Sequence, residues 1–126
     1  MPYEGYGDHG PVASHLLTGM MAMEMSRVDA SVATFFGVHN GLAMYAIQAG
    51  VDQAQRDRWL PGIARMDTVG AFALTEPLDG SDIAAGMRTT ARWDGDTWVL
   101  NGAKCWIGNA TFADHVVVWA RDVEDD

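Results

Sequence analysis

The stretch Ala71-Phe72-Ala73-Leu74-Thr75-Glu76-Pro77-Leu78-Asp79-Gly80-Ser81-Asp82 marks the point at which this chain changes its hydrophobic period. Its lead-in from Val69 to Thr75 is small and apolar and reads as a strand. Glu76 to Gly86 is rich in turn residues and reads as a loop, because proline cannot continue a ladder and glycine and serine favour reversal. Upstream, apolar residues recur at helical spacing instead. Leu16/Met20 and Leu17/Met21 set a helix over Ala13 to Val28. Met23 and Met25 spread its apolar surface further, so burial on more than one side is expected. Asp29 is the expected N-cap of a second helix, with Val32, Phe35, Phe36, Leu42, Ala46 and Ile47 on its apolar face and Gly50 as its stop. Gly37 and Gly41, one turn apart, are expected to admit a close neighbour. Asp52 and Gln55 at capping-box spacing open a third helix that turns Trp59, Leu60 and Ile63 inward, and Pro61 should bend or shorten it.

Downstream, Thr89 to Trp93 and Thr97 to Asn101 flank Asp94-Gly95-Asp96, and Asp-Gly supplies the left-handed residue that a short hairpin turn needs. Asn101-Gly102 offers another reversal before Lys104-Cys105-Trp106-Ile107, read as a strand, and His115 to Arg121 reads as a further one. Helices followed by strands predict an α+β fold rather than alternating βαβ units. The break is placed at 67/68, with part of an N-terminal helical domain over 1–67 and part of a β domain over 68–126.

Composition narrows the function classes. The 126 residues are 48% hydrophobic and 20% charged, a globular profile rather than a disordered one. No apolar run reaches the roughly 18 residues of a membrane span, and Glu4 and Asp8 replace the positive start of a secretory signal, so an intracellular protein is expected. Cys105 is the only cysteine, which excludes an internal disulfide. The net charge of −9 leaves no basic stripe for a phosphate backbone, so nucleic acid is not an expected partner.

Several tempting features have plain explanations. Gly5, Gly7 and Gly10 match a dinucleotide-binding spacing, but no strand precedes them and Pro11 follows. His9, His15, His39 and His115 stand far apart without ligands at metal spacing, so no metal is expected. Cys105 reads as a half-buried structural thiol, and Trp59, Trp93, Trp98 and Trp119 as core or sheet-face residues. Glu24, Arg27 and Asp29 read as a polar helix end and a cap, not an acid/base pair. The 71–82 stretch differs. A strand running into Thr-Glu-Pro and a glycine-serine turn gathers backbone N–H groups and the Thr75 and Ser81 hydroxyls at one sheet edge, a lining suited to a polar heterocycle and its phosphates. Trp106, on a neighbouring strand, offers a plane to stack on the same ligand.

These two segments resemble the signature of the acyl-CoA dehydrogenase family: Thr75-Glu76-Pro77-x-x-Gly80-Ser81-Asp82, then Asn101-Gly102-x-Lys104-x-Trp106-Ile107-x-Asn109. Glu24-x-x-Arg27-Val28-Asp29, Gly50 to Gln55 and Trp59-Leu60-Pro61 resemble its helical domain in the same order. The texture of residues 106–114 is similar to the branch holding glutaryl-CoA dehydrogenases and short-chain acyl-CoA oxidases. The resemblance implies part of an N-terminal helical bundle followed by the first strands of a β-barrel domain. It implies FAD as cofactor, with Phe72, Ala73, Leu74, Thr75, Trp106, Ile107 and Gly108 lining the flavin, Thr75 at its pyrimidine edge and Ser81 near the phosphates of FAD and of CoA. Glu76 and Pro77 would shape the loop, and Asp82 and Asn109 would hold turns. The implied reaction is oxidation of the Cα–Cβ bond of an acyl-CoA. Electrons would pass to an electron-transfer flavoprotein or, in an oxidase, to oxygen. The parent is expected to be a homotetramer or homodimer, cytoplasmic in a bacterium and in the mitochondrial or peroxisomal matrix in a eukaryote.

Three departures from the pattern sharpen the expectation. Where the family commonly has threonine or serine two residues after the tryptophan, this chain has Gly108, which leaves a backbone donor only. Where glutaryl-CoA dehydrogenases place an arginine-serine pair for the distal carboxylate, it has Ala33-Thr34, so a short or medium unbranched acyl-CoA is the expected substrate. The family's catalytic glutamate belongs to a C-terminal helical domain. No acid in 1–126 takes that role, and the chain is expected to be a fragment, inactive by itself.

Overall fold

The computed structural model describes residues 11–78 and 83–124. The chain divides into two compact units, the first built from residues up to Phe72 together with Gly108–Val117, the second from Ala73–Ile107 and the residues from Val118 onward. Helices come first and short strands follow, the α+β order expected from the change of period.

In the first unit, α1 runs over Pro11–Val28 and α2 over Ala30–Phe36, with Asp29 between them as N-cap, its carboxylate accepting from the Ser31 N–H. α1 is not buried on several faces: Leu16 is 67% exposed and Val28 89%, and Leu17, Met20, Met21 and Met23 are exposed as well. Its apolar residues are spread around the cylinder, so packing against α2 covers only part of them. The second helix is not uniform either. Gly37–Ala43 form a π-helical segment in which the Met44 N–H reaches back five residues to the His39 carbonyl, and α3, Met44–Gly50, resumes the ordinary pitch. α4, Gln53–Ala64, opens with the expected capping box of Asp52 and Gln55 and continues past Pro61 to its end.

The core of this unit is Met44, Ile47, Leu60 and Ile63, with Val51, Trp59, Ala64 and Val117 packed on it. The close approach expected at Gly37 and Gly41 occurs elsewhere. A Cβ at either would meet nothing within 4 Å, whereas one at Gly70 would lie 2.8 Å from the Ala43 Cβ. His39 is wholly buried and bridges two elements. Its Nδ1 accepts from the Gly70 N–H at 3.1 Å, which leaves Nε2 to donate to the Ile63 carbonyl at 2.9 Å and assigns the Nε2–H tautomer. β1, Gly70–Ala73, pairs with β4, His115–Val118. The Val69 N–H donates to Asp114 Oδ2, and the Asp114 and His115 N–H groups donate to the Val69 carbonyl.

In the second unit, β2, Thr90–Asp94, and β3, Thr97–Asn101, make the expected hairpin, with Trp93 opposite Trp98 and Gly95 at φ +72° in the turn. β5, Arg121–Asp122, lies parallel to β2 on its other side. The loop after β1 includes one helical turn, α5, Ile83–Gly86, where the sequence reading expected none. Lys104–Ile107 is not a strand, because Trp106 has φ +59° and breaks the extended run. Gly102 has no room for a side chain: a Cβ there would fall 2.5 Å from Thr89 Oγ1 and 2.6 Å from Thr89 Cα. Since a backbone atom cannot step aside cheaply, Gly102→Ala should destabilise the second unit by about 1–3 kcal/mol. Urea unfolding followed by tryptophan fluorescence checks this, and an unshifted midpoint contradicts it.

Candidate functional site

The chain leaves β1 extended through Leu74 and Thr75 and reaches Glu76, which is 6% exposed. A carboxylate buried this far must be compensated, and both of its oxygens are. Oε2 accepts from the Arg88 N–H at 2.7 Å, while Oε1 accepts from the Thr89 N–H at 2.9 Å and from Lys104 Nζ at 2.8 Å. Lys104, the only lysine in the sequence, also donates to the Leu74 carbonyl at 3.0 Å. The Lys104 hydrogen bond first, then the Thr89 side chain against the carboxylate and the two backbone N–H groups, hold Glu76 at about 2. With both oxygens engaged, Glu76 is no general base at neutral pH. Its task is to lock the loop, as the sequence reading assigned.

The same contacts bring the two sequence motifs side by side. The Cys105 N–H donates to the Thr75 carbonyl at 3.0 Å, so residues 74–76 and 104–105 run against each other within the second unit. Cys105 is half-buried, as expected of a structural thiol. Trp106 follows directly, 92% exposed and in the left-handed region, a conformation costing roughly 1–2 kcal/mol in an L-residue. A large aromatic side chain thus stands open to solvent one residue beyond the Cys105 N–H that meets the Thr75 carbonyl. Ala73 is buried, and Leu74, Thr75 and Ile107 are half-buried. An exposed indole at the junction of the two motifs could stack on a flat, polar heterocycle. Ser81, Gly80 and Asp82 lie outside the described residues.

Phe72 and Gly108 belong to the first unit. Asn109, in the left-handed region at φ +67°, donates from Nδ2 to the Phe35 carbonyl at 3.2 Å and the Gly70 carbonyl at 3.3 Å, the turn-holding role expected of it. Sequence reasoning did not assign Lys104, although a lone lysine among small and apolar residues pointed to a specific partner. It also missed His39 as a backbone clamp, since its two partners lie 24 and 31 residues away. Among the described residues no group of three or more His, Cys, Asp or Glu is placed to hold a metal ion, and no helix is long and apolar enough to cross a membrane.

Comparison with known proteins places the chain in a family. The sequence model of the acyl-CoA dehydrogenase N-terminal domain matches residues 1–67, and that of the acyl-CoA dehydrogenase middle domain matches residues 71–126. The chain is 40% identical over 111 residues to the mitochondrial short-chain specific acyl-CoA dehydrogenase of Bos taurus, a match that takes in 88% of this chain and 27% of the relative. Among solved structures, a glutaryl-CoA dehydrogenase from Mycobacterium smegmatis is 44% identical with a TM-score of 0.86, over 98% of this chain and 31% of that one. A glutaryl-CoA dehydrogenase from the same organism, solved in complex with FADH2, is 43% identical with a TM-score of 0.79, over 83% and 27%. The chain thus spans about a quarter of the length of the curated relative it matches.

Proposed function

The chain belongs to the acyl-CoA dehydrogenase family, and on that premise we propose that it supplies the flavin-facing wall and part of the helical wall of an FAD-dependent enzyme. That enzyme oxidises the Cα–Cβ bond of a short or medium acyl-CoA thioester to the trans-2-enoyl-CoA. The observation that carries the reading is the junction of the two motifs, which ties 74–76 to 104–105 and leaves Trp106 exposed in a strained conformation.

In this proposal bound FAD supplies the hydride acceptor. Phe72, Ala73, Leu74, Thr75, Ile107 and Gly108 line it, Trp106 stacks on its ring system, and Ser81 meets the phosphates of FAD and of CoA. The loop lock of Glu76 and Lys104 fixes the direction of the 74–75 backbone, so its polar groups need no rearrangement when the ligand binds. The proton acceptor is proposed to lie outside residues 1–126, which accords with Glu76 being fully engaged in hydrogen bonds. The acyl tail is proposed to be uncharged. Ala33 offers no polar group, and the Thr34 hydroxyl is already committed to the Ala30 carbonyl at 2.9 Å, so nothing there would neutralise a distal carboxylate. The proposed acceptor is an electron-transfer flavoprotein, and the proposed boundaries put helical-domain residues at 1–67 and β-domain residues at 68–126.

Titrating the purified chain with FAD, followed by flavin and tryptophan fluorescence, tests this reading. Trp106→Ala should weaken FAD binding by about tenfold, the worth of one aromatic stacking contact, with the circular dichroism spectrum unchanged. Equal affinities would remove the stacking role. The isolated chain should show no acyl-CoA-dependent dye reduction, and clear turnover would overturn the placing of the base outside it.

A further inference from the structure

Nothing in the backbone at position 108 demands glycine, because the glycines at positive φ among the described residues are Gly95 and Gly102. The demand comes from a neighbour. A Cβ built on Gly108 would lie 3.2 Å from Val38 Cγ2 and 4.0 Å from Val38 Cγ1. Carbon atoms pack at about 3.5–4.0 Å, so either the turn or the valine would have to yield. The turn is pinned by the two Asn109 hydrogen bonds to the Phe35 and Gly70 carbonyls, by the Phe112 N–H donating to the Asn109 carbonyl at 3.0 Å, and by the Phe112 ring 6.0 Å from that of Phe35. Val38 is β-branched and sits in the π-helical segment, where its χ1 is restricted by the preceding turn.

We propose that Val38 is the specificity-determining residue for position 108: its methyl groups fill the space that a side chain there would use, and so confine that position to a backbone N–H donor. Valine at 38 and glycine at 108 form a size-matched pair, within one compact unit, between residues 70 positions apart. The consequence for the cofactor rests on the function proposed above, in which position 108 faces the flavin. On that reading a smaller residue at 38 makes room for a hydroxyl at 108 and adds a donor to the flavin wall, while Val38 disfavours it by crowding the Cβ.

A double-mutant cycle tests the pairing independently of any ligand. Gly108→Ala adds only the methyl group, and should lower the thermal midpoint by about 4 °C in the parent chain. In a Val38→Ala background the same change should leave the midpoint unchanged or raise it, since alanine restricts the unfolded chain where the native backbone permits it. An equal loss in both backgrounds overturns the proposal. FAD titration then separates the pairing from the function. Val38→Ala/Gly108→Ser and Val38→Ala/Gly108→Ala differ by one hydroxyl, and should differ at least threefold in FAD affinity or in the position of the flavin absorption band. If they bind FAD identically while the stability coupling is present, Val38 still governs position 108, and it is the placing of 108 at the flavin that fails.

Discussion

Lys104→Met is expected to lower the urea midpoint of the second unit by roughly 1 M at neutral pH, because it leaves the Glu76 carboxylate buried with its strongest partner gone. Four of the five tryptophans, at 93, 98, 106 and 119, lie in that unit, so tryptophan fluorescence reports mainly on it. The loss has a characteristic pH dependence. Glu76 is held at about 2 in the folded chain, against 4.5 for a free glutamate. Its stabilising contribution is therefore complete above about pH 4.5 and is lost as pH falls toward 2. The parent chain should weaken steeply through that window, and the Lys104→Met chain much less, having already lost the interaction. Replacing both partners, in Glu76→Gln/Lys104→Met, should recover much of the stability at neutral pH, since no charge is then left buried. A Lys104→Met midpoint equal to that of the parent would mean that the pair holds nothing.

His39→Leu should be of comparable severity in the first unit. The imidazole accepts from the buried Gly70 N–H, which leucine cannot do, whereas the Ile63 carbonyl keeps its hydrogen bond from the Met66 N–H at 3.0 Å. One buried backbone N–H left unpaired costs about 1–3 kcal/mol, so a loss of about 1–3 kcal/mol is expected in chemical unfolding. The residue-level signature is the amide of Gly70, which should lose its protection against hydrogen exchange while amides in the middle of α4 keep theirs. A loss below about 1 kcal/mol with Gly70 still protected would show that the imidazole fills space and does no more.

These two side chains also show where sequence reasoning reached and where it stopped. Local chemistry was legible: the Asp29 cap, the Asp52 and Gln55 capping box and the Gly95 turn each depend on residues within three positions of one another. The α+β order followed from the change of period. What depends on distant partners was not legible. The π-helical segment widens a helix whose residues look ordinary, and serves contacts from His39 to Ile63 and Gly70. The expected burial of α1 failed for a related reason, as apolar periodicity records what a helix is able to cover, not what is present to cover it. Trp106 was read as a strand residue because propensity carries no warning of a left-handed tryptophan. At the candidate site, the order of the motif residues was readable, whereas their joining through Lys104 was not, since that depends on pairings across 28 and 30 residues.

The burial of Lys104 has a chemical consequence. Lysine occurs once in the sequence, and its side chain is 11% exposed, with the ammonium held by a carboxylate and a carbonyl. Reagents that acylate side-chain amines therefore meet a single target, and it is closed to them for as long as the 74–76 and 104–105 segments stay joined. The rate at which that amine is modified measures how often this junction opens, which makes the protein its own reporter of local breathing at the segment that follows β1.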